Sequence, residues 1–348
     1  MKIKQLKLQR FCAFEKADLD LSPGLNVFIG ENATGKSHLL KVLYSILKAN
    51  ERAEKNGGSK PAGLETVLAQ KLLGVFRPHE AALGRLVYRR IGRGTGSVEL
   101  RLEEGELLFT LSTLGKLTVK KDTLPKTERS VFVPSREALA MFEGFVAAYE
   151  NRELSFDETY KDLCVALSAG AAKGKRLATA AQLVTPLEEV LGGSVHLQGG
   201  KFFVYIQNGF IEAHLLAEGL RKIAGLVRLI VNGSLIQNGF LFWDEPEANL
   251  NPKLVTKIAM VLRTLAANGV QVFVATHDYL LSRELSMASE YKTEPVVDIK
   301  FFACSRTENR EAVTIQSGTT FTDLAKNPIL EEFAAQYDRE RMLFNGAK

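Results

Sequence analysis

Two short segments carry residues whose types and spacing suit phosphate chemistry. The first, residues 30–37, reads GENATGKS and fits the pattern G-x-x-x-x-G-K-[ST]. In that pattern main-chain N–H groups surround phosphate oxygens, Lys36 neutralises charge and the Ser37 hydroxyl ligates Mg²⁺. Gly30 and Gly35 let the main chain turn back around an anion, and the helix that follows directs its positive end at it. The predicted phosphate-binding residues are Gly30, Glu31, Asn32, Ala33, Thr34, Gly35, Lys36, Ser37 and His38.

The second segment, LFWDEPEANLNP, places two adjacent carboxylates at the end of an apolar run. A phosphate loop needs an acid at the end of another buried strand to hold magnesium, and Asp244 is predicted to do so. Glu245 is predicted to polarise the attacking water. His277 follows a third apolar run, QVFVAT, from which its imidazole can reach a γ-phosphate. The alternative for Asp244 and Glu245 is an acidic pair that caps a surface turn, and the alternative for His277 is a structural histidine. The position of each at the end of an apolar strand favours a catalytic role.

The elements around these segments follow an α/β pattern. Residues 25–29 (LNVFI) are continuously apolar, as in a strand covered on both faces, and lead directly into the phosphate loop. Helical periodicity begins at His38. Strands are also predicted at 2–8, 17–21, 131–133, 195–197, 202–207, 240–243, 270–275, 295–303 and 312–316, with helices at 253–267, from about Gly219 and from about Pro328.

Two insertions are predicted within this α/β frame. Residues 50–63 are polar and contain Gly, Lys and Pro, which predicts a loop or linker. Short alternating runs at 86–91, 97–102, 106–112 and 116–119 predict an antiparallel β-lobe. Residues 137–191 have interrupted helical periodicity and predict a helical lobe, without the sustained heptads of a coiled-coil arm.

Composition constrains the class of protein. The chain has 348 residues, and 45 Lys and Arg against 40 Asp and Glu leave a net charge of +5, too weak a bias to indicate nucleic-acid binding by itself. The three cysteines lack the pairing of a disulfide framework or a zinc site. Neither a secretory signal nor an apolar run of ~18 residues is found, so we expect a cytoplasmic protein with no membrane role of its own.

With these motifs in order, the chain resembles ABC-type ATPases of the SMC, RecF and OLD-like branch. Asn32 occupies the position of the Asn in the GxNGxGKS loop of that branch, and DEPEANLNP resembles the DEPE-x-x-LHP form of OLD-like proteins, with Asn251 where His often stands. The resemblance implies a P-loop NTPase fold with a mixed sheet, an antiparallel β-lobe and an inserted helical lobe. It also implies ATP and Mg²⁺ as cofactors.

The resemblance further implies a signature motif that contacts a neighbouring subunit's nucleotide. Ala217, Glu218 and Gly219 occupy that place as a degenerate form of LSGGQ, and a helix cap is the alternative. The family's Q-loop would fall at Ser135, Arg136 or Glu137, where Gln is absent. Arg10 resembles the nucleotide-proximal Arg of the branch, although a surface Arg is an alternative.

One ABC-type domain is therefore expected over residues 1–348. Residues 1–136 would begin the core and include the β-lobe, 137–218 would form the helical lobe, and 219–348 would complete the core. The nearest likeness is to small OLD-like and AAA15-like ATPases without a coiled coil. It implies a head-to-tail homodimer or higher homo-oligomer that regulates a separate effector, such as a nuclease, in anti-phage defence.

Two other functions remain as alternatives. The first is a RecF-like ATPase of DNA repair or maintenance, for which the basic residues Arg85, Arg89, Arg90, Arg93, Lys116, Lys120, Lys121 and Lys126 offer DNA contacts. A solvated β-lobe face explains the same charges. The second, a transporter nucleotide-binding subunit, is disfavoured by the degenerate signature and the missing Gln.

Overall fold

The computed structural model describes residues 1–55, 61–88, 91–170, 175–235, 238–306 and 312–346. The strands are β1 Ile3–Phe11, β2 Phe14–Asp20, β3 Leu25–Gly30, β4 Thr95–Leu102, β5 Glu106–Ser112, β6 Leu117–Asp122, β7 Ser130–Val133, β8 Ser194–Gln198, β9 Lys201–Ile206, β10 Gly209–Glu212, β11 Phe240–Asp244, β12 Gln271–Thr276, β13 Ile299–Arg306 and β14 Val313–Gly318. The helices are α1 Lys36–Lys55, α2 Pro61–Phe76, α3 Phe145–Glu150, α4 Glu158–Ser168, α5 Lys175–Leu191, α6 Glu218–Val231, α7 Pro252–Ala267, α8 Tyr279–Glu290 and α9 Pro328–Gly346.

A six-stranded sheet with the order β14-β13-β3-β12-β11-β7 forms the centre of the fold. All neighbouring pairs are parallel except β13 and β14, so the carboxyl ends of β3, β11 and β12 lie at one edge. These strands are apolar throughout because both faces are covered. Phe28, Phe242 and Phe273 contribute to one buried cluster, whereas their sequence neighbours on either side contribute to the other.

A second, antiparallel sheet has the order β2-β1-β4-β5-β6. The strands predicted as a separate β-lobe are therefore continuous with the N-terminal hairpin, since Leu8 pairs with Ala17 on one side and with Val98 on the other. The strand predicted at 86–91 is wrong in its described part. Leu83–Leu86 forms a 3₁₀ turn, and Val87 makes only an isolated bridge to Phe11.

The linker predicted at 50–63 is also wrong where the structure describes it. Helix α1 continues to Lys55 and α2 begins at Pro61, while residues 56–60 lie outside the described ranges. Helix α2 buries Leu64, Leu68, Leu72 and Val75 against the cluster that includes α1. The polar composition that predicted a loop thus belongs to the ends of two packed helices.

Helix α4 of the predicted helical lobe is joined to α1 and α2 by a buried ion cluster. Lys71 is fully buried and contacts Asp162, and it lies 3.2 Å from Glu158. Arg52 binds both acids, with N–O distances of 2.7 Å and 2.8 Å. The helix that begins at the phosphate loop is therefore tied to the helical lobe.

The three-stranded sheet β10-β9-β8 follows α5 and precedes α6. Its third strand, β10, lies beyond the two strands predicted for this region and pairs antiparallel with β9. Across the described ranges no helix is both long and apolar enough to cross a lipid bilayer.

Candidate functional site

The loop between β3 and α1 has a backbone that only certain residues can adopt. Gly30 has φ 142° and Gly35 has φ 88°, both in the region that favours glycine. A Cβ on Gly30 would lie 2.1 Å from the carbonyl oxygen of Cys304, and one on Gly35 would lie 2.7 Å from the Phe14 ring. The two glycines of the motif are thus required by steric contacts as well as by the turn.

Lys36 is the buried cation of this loop. Its Nζ donates to the carbonyl oxygens of Gly30 at 2.7 Å and Glu31 at 2.8 Å, so it folds back over the loop. Burial lowers the pKa of Lys36, while nearby acids, Asp244 among them, act in the opposite direction. A partly dehydrated ammonium that bonds only main-chain carbonyls can move to an incoming anion.

The Ser37 hydroxyl and the Asp244 carboxylate meet although 207 residues separate them in the chain. Ser37 Oγ donates to Asp244 Oδ1 at 3.0 Å. Burial raises the pKa of Asp244, and the hydrogen bond from Ser37 lowers it. The phosphate loop and the acidic strand end therefore lie side by side, because β3 and β11 flank β12 in the same sheet.

Glu245 and His277 are neighbours beyond the ends of β11 and β12. Glu245 Oε1 lies 3.3 Å from His277 Nδ1, and both side chains remain partly exposed. Glu245 has φ 49°, and its main-chain N–H donates to Ala275 O at 2.8 Å. A positive φ in a non-glycine residue stores strain that is often found at functional sites.

A cavity of about 1020 Å³ opens in front of the phosphate loop. Its lining includes the polar groups of Lys36, Ser37, Asp244 and Glu245 together with apolar and aromatic side chains such as Phe76. The lining residues are Cys12, Ala13, Asn32, Ala33, Thr34, Gly35, Lys36, Ser37, His38, Phe76, Pro78, His79, Arg85, Leu86, Tyr88, Asp244, Glu245 and Arg306.

Several predicted site residues lie outside this lining. Gly30 and Glu31 contribute the carbonyls that hold Lys36, and His277 reaches the cavity only through Glu245. The Arg10 side chain lies against Gly94, where a Cβ would be 2.4 Å from Arg10 Nη2. His38 does line the cavity, with its ring centroid 5.8 Å from that of Phe76.

The predicted signature residues are separate from the chain's own phosphate loop. Glu218 and Gly219 begin α6, where Glu218 Oε1 accepts from Asn249 Nδ2 at 2.7 Å. A Cβ on Gly219 would lie 2.7 Å from Leu250 Cδ2. In a single copy these residues therefore contact the turn after Glu245.

The three candidates for the missing Gln follow β7. Glu137 is buried and accepts from Arg221 Nε at 2.7 Å and from the main-chain N–H of Leu139 at 2.8 Å. It is held by α6 and its own loop and is not part of the cavity lining. No sequence motif pointed to this ion pair.

The sequence analysis also missed residues that the fold brings to the site. Lys222 donates to the carbonyls of Ala248 at 2.8 Å and Glu245 at 3.3 Å. Glu247 is buried beside His277, and burial raises its pKa. Arg306 donates to Ala33 O at 2.6 Å from the end of β13. Only Glu247 had a signal, because it is the second acid of the DEPE segment.

Two family models match the chain. One, described as an AAA domain, putative AbiEii toxin, Type IV TA system, matches residues 119–283. The other, described as an AAA ATPase domain, matches residues 1–88. The first range contains Asp244, Glu245 and His277, and the second contains the phosphate loop.

Curated relatives include DNA replication and repair protein RecF from several bacteria. The protein from Renibacterium salmoninarum is 39% identical over 69 residues, which cover 20% of this chain and 17% of the relative. That from Streptococcus agalactiae is 28% identical over 107 residues, covering 31% and 25%. The chain thus matches no more than a quarter of the length of these relatives.

Solved structures with the same fold include two SMC head domains. The SMC head bound to the C-terminal winged-helix domain of ScpA superimposes with a TM-score of 0.56 at 12% identity, covering 92% of this chain and 99% of that one. The SMC head domain from Thermotoga maritima has a TM-score of 0.50 at 14% identity, covering 91% and 98%. At these identities the likeness establishes the fold, and the predicted ABC-type P-loop architecture is confirmed.

Proposed function

We propose that this chain, whose fold is that of ABC-type ATPases of the SMC type, binds ATP at residues 30–37 and hydrolyses it. The observation that carries the proposal is the 3.0 Å hydrogen bond from Ser37 to Asp244. It joins the hydroxyl and the carboxylate that a phosphate loop uses around a metal-bound nucleotide. Families of this type use ATP with a divalent metal.

The donor set at this point fits Mg²⁺. Mg²⁺ prefers oxygen ligands and is usually bound through one or two protein groups together with substrate phosphates and water. Ser37 and Asp244 supply one hydroxyl and one carboxylate. Within the described residues no cluster of three or more His, Cys, Asp or Glu side chains could hold a metal by itself, which agrees with a site completed by a nucleotide. When bound, the ion would neutralise charge on the phosphates.

Part of the cavity lining suits a nucleobase. Phe76, Pro78, Leu86 and Tyr88 give it apolar and aromatic surface, on which a planar base can stack. A cavity of about 1020 Å³ is at the large end of small-molecule sites. A phosphate cradle and an apolar, aromatic surface in the same cavity favour a nucleoside triphosphate over inorganic phosphate.

Glu245 is proposed as the group that activates water for in-line attack on the γ-phosphate. Its carboxylate lines the cavity next to Asp244, and its main chain is fixed by Ala275. His277 lies 3.3 Å from Glu245, and its imidazole would contact the γ-phosphate. Lys36 would stabilise negative charge on the β- and γ-phosphates in the transition state.

The active assembly is proposed to be a head-to-tail homodimer or a higher homo-oligomer. Glu218 and Gly219 lie at the start of α6 and are not part of the lining of the chain's own cavity, so their N–H groups would serve another copy's nucleotide. Hydrolysis would then depend on assembly. The ATP-bound assembly would be closed and would open after hydrolysis, with the helical lobe as the moving part.

We further propose that this switch controls a separate effector in the cytoplasm, such as a nuclease in anti-phage defence. The family description that names a putative toxin of a toxin–antitoxin system supports a defence role. The curated RecF relatives support the second candidate, a DNA repair or maintenance ATPase. Steeply salt-dependent DNA binding would favour the second candidate, and its absence would favour the first.

Purified wild-type protein and Glu245→Gln test the proposal. The variant keeps the cradle but lacks the base, so it should bind ATP with Mg²⁺, turn it over at least ~100-fold more slowly, and accumulate as a closed oligomer. Phosphate release and light scattering after size-exclusion chromatography measure the two effects. Wild-type protein without ATP turnover would refute the ATPase function, and turnover by the variant at the wild-type rate would assign the base to another residue.

A further inference from the structure

We propose that Glu247 is a positioning residue that fixes His277 beside Glu245. This inference rests on the proposed ATPase function, because it assigns a role within that site. It concerns a residue that does not line the cavity and acts only through its neighbours.

A single carboxylate oxygen of Glu247 holds the main chain around His277. Glu247 Oε1 accepts from Thr276 Oγ1 at 2.6 Å and from the His277 main-chain N–H at 3.4 Å. The Thr276 hydroxyl oxygen in turn accepts from the Asp278 N–H at 3.0 Å. Three consecutive residues, the last of β12 and the two that follow it, are therefore fixed by one acid from the turn after β11.

The same oxygen also lies near the imidazole. Glu247 Oε1 is 4.0 Å from His277 Nδ1, and Glu245 Oε1 is 3.3 Å from that nitrogen. The ring thus stands between two carboxylates, one buried and one facing the cavity.

Glu247 is too buried to be an incidental surface acid. Only 7% of its side chain is exposed, and Oε2 has no hydrogen-bond partner among the described residues. A buried carboxylate with an unsatisfied oxygen costs free energy, and such groups are concentrated where function requires them. An apolar side chain at this position would avoid that cost but could not hold Thr276 and His277.

The turn that carries Glu247 is fixed from the other side by α6. Lys222 Nζ donates to Ala248 O at 2.8 Å and to Glu245 O at 3.3 Å, so the main chain on both sides of Glu247 is held. Among neighbouring charges, that of Glu247 has the largest effect on the pKa of Lys222, which burial lowers. Glu247 therefore presents a rigid oxygen to β12.

The test compares ATP binding with turnover in Glu247→Gln. The amide oxygen is a weaker acceptor and carries no charge, so His277 loses its fixed position while residues 30–37 are untouched. We expect kcat to fall about 10-fold to 100-fold, the scale of a misplaced catalytic group. The ATP dissociation constant should stay within about threefold of the wild-type value, because the phosphate cradle is intact.

Thr276→Val provides a second route to the same loss. It removes the hydroxyl that bonds Glu247 Oε1 and should reproduce the fall in kcat without changing the acid. Glu51→Gln is the matched control: Glu51 is an acid with only 10% of its side chain exposed, it accepts from the Ser130 N–H at 2.7 Å, and it lies outside the cavity lining. Its kcat should match the wild type.

A double-mutant cycle with His277→Ala decides whether Glu247 acts through the imidazole. If it does, Glu247→Gln should cause less than about a twofold further loss of kcat when His277 is already absent. If the double variant instead loses kcat by the product of the two single losses, the inference is overturned. A Glu247→Gln protein with wild-type kcat would overturn it as well. If wild-type turnover depends on Lys36, either of these two results leaves the proposed ATPase function intact. A wild-type protein without ATP turnover would overturn both the ATPase function and the role of Glu247.

Discussion

Lys36→Ala addresses the charge at the centre of the phosphate loop. In the structure the Lys36 ammonium is buried and donates to two main-chain oxygens, those of Gly30 and Glu31. Nucleotide binding would transfer these donors to phosphate oxygens. The substitution therefore removes the only cation that the sequence analysis assigned to the β- and γ-phosphates.

The magnitude follows from the contacts that Lys36 exchanges. Loss of one partner of a buried, hydrogen-bonded charge pair costs about 2 to 5 kcal/mol. The bonds to Gly30 O and Glu31 O, worth about 1 kcal/mol each, are given up on binding and must be subtracted. Subtracting them leaves about 0 to 3 kcal/mol. Because the Lys36 ammonium is buried and would contact two phosphates, we expect the upper end, on the order of a 100-fold higher dissociation constant at about 1.4 kcal/mol per tenfold.

Isothermal titration of ATP with Mg²⁺ into purified protein measures this change. Lys41→Ala is the matched control, since Lys41 is the next basic residue of α1 and pairs with Asp157 at 2.8 Å outside the cavity. Thermal melting of both variants without nucleotide establishes that they are folded. An ATP dissociation constant for Lys36→Ala within about twofold of the wild type would refute the assignment of residues 30–37 as the phosphate cradle.

Three further predictions address the base wall, the buried acid and the ion cluster. Phe76→Ala should weaken ATP binding about tenfold in titrations but leave tripolyphosphate binding unchanged, because only the base stacks on the ring; equal losses would exclude a base site there. Asp244→Asn should raise the melting temperature at neutral pH. Burial raises the folded-state pKa of Asp244, so the free energy of unfolding falls as pH rises through the titration of this carboxyl, whereas a neutral Asn does not titrate. The gain in melting temperature should therefore shrink in acid, and a gain that is the same at all pH values would contradict the charge explanation. Lys71→Met should lower the free energy of unfolding by about 3 kcal/mol in urea titrations, since it leaves Asp162 and Glu158 with one cation fewer; a loss below about 1 kcal/mol would show that Arg52 alone suffices.

Much of the fold could be predicted from sequence because its strands have simple patterns. The continuous apolar runs before residues 30, 244 and 277 correspond to β3, β11 and β12 within one or two residues. Strand β5 was predicted with its observed bounds, 106–112. Alternation and continuous burial are local properties, so they are readable without knowledge of the partners.

Helix α2 and the joining of the N-terminal hairpin to the β-lobe in one sheet were not predicted, because both depend on partners distant in the chain. The run at 86–91 alternates like a strand, yet its described part pairs with little more than Phe11. Pro61 begins a helix within a segment whose composition indicated a loop, and α2 is held by burial against α1. Tertiary packing here overrode local propensity.

The sequence by itself determined the residues of the phosphate loop and the acids at the end of β11, because each set is contiguous and its spacing is a chemical requirement. Only the tertiary structure decided which distant side chains join them. The contacts of Ser37 with Asp244 and of Glu247 with Thr276 cross 207 and 29 residues. No local pattern encodes such contacts, because they are set by the order of strands in a sheet, and burial then makes each unpaired polar atom costly enough to fix its position.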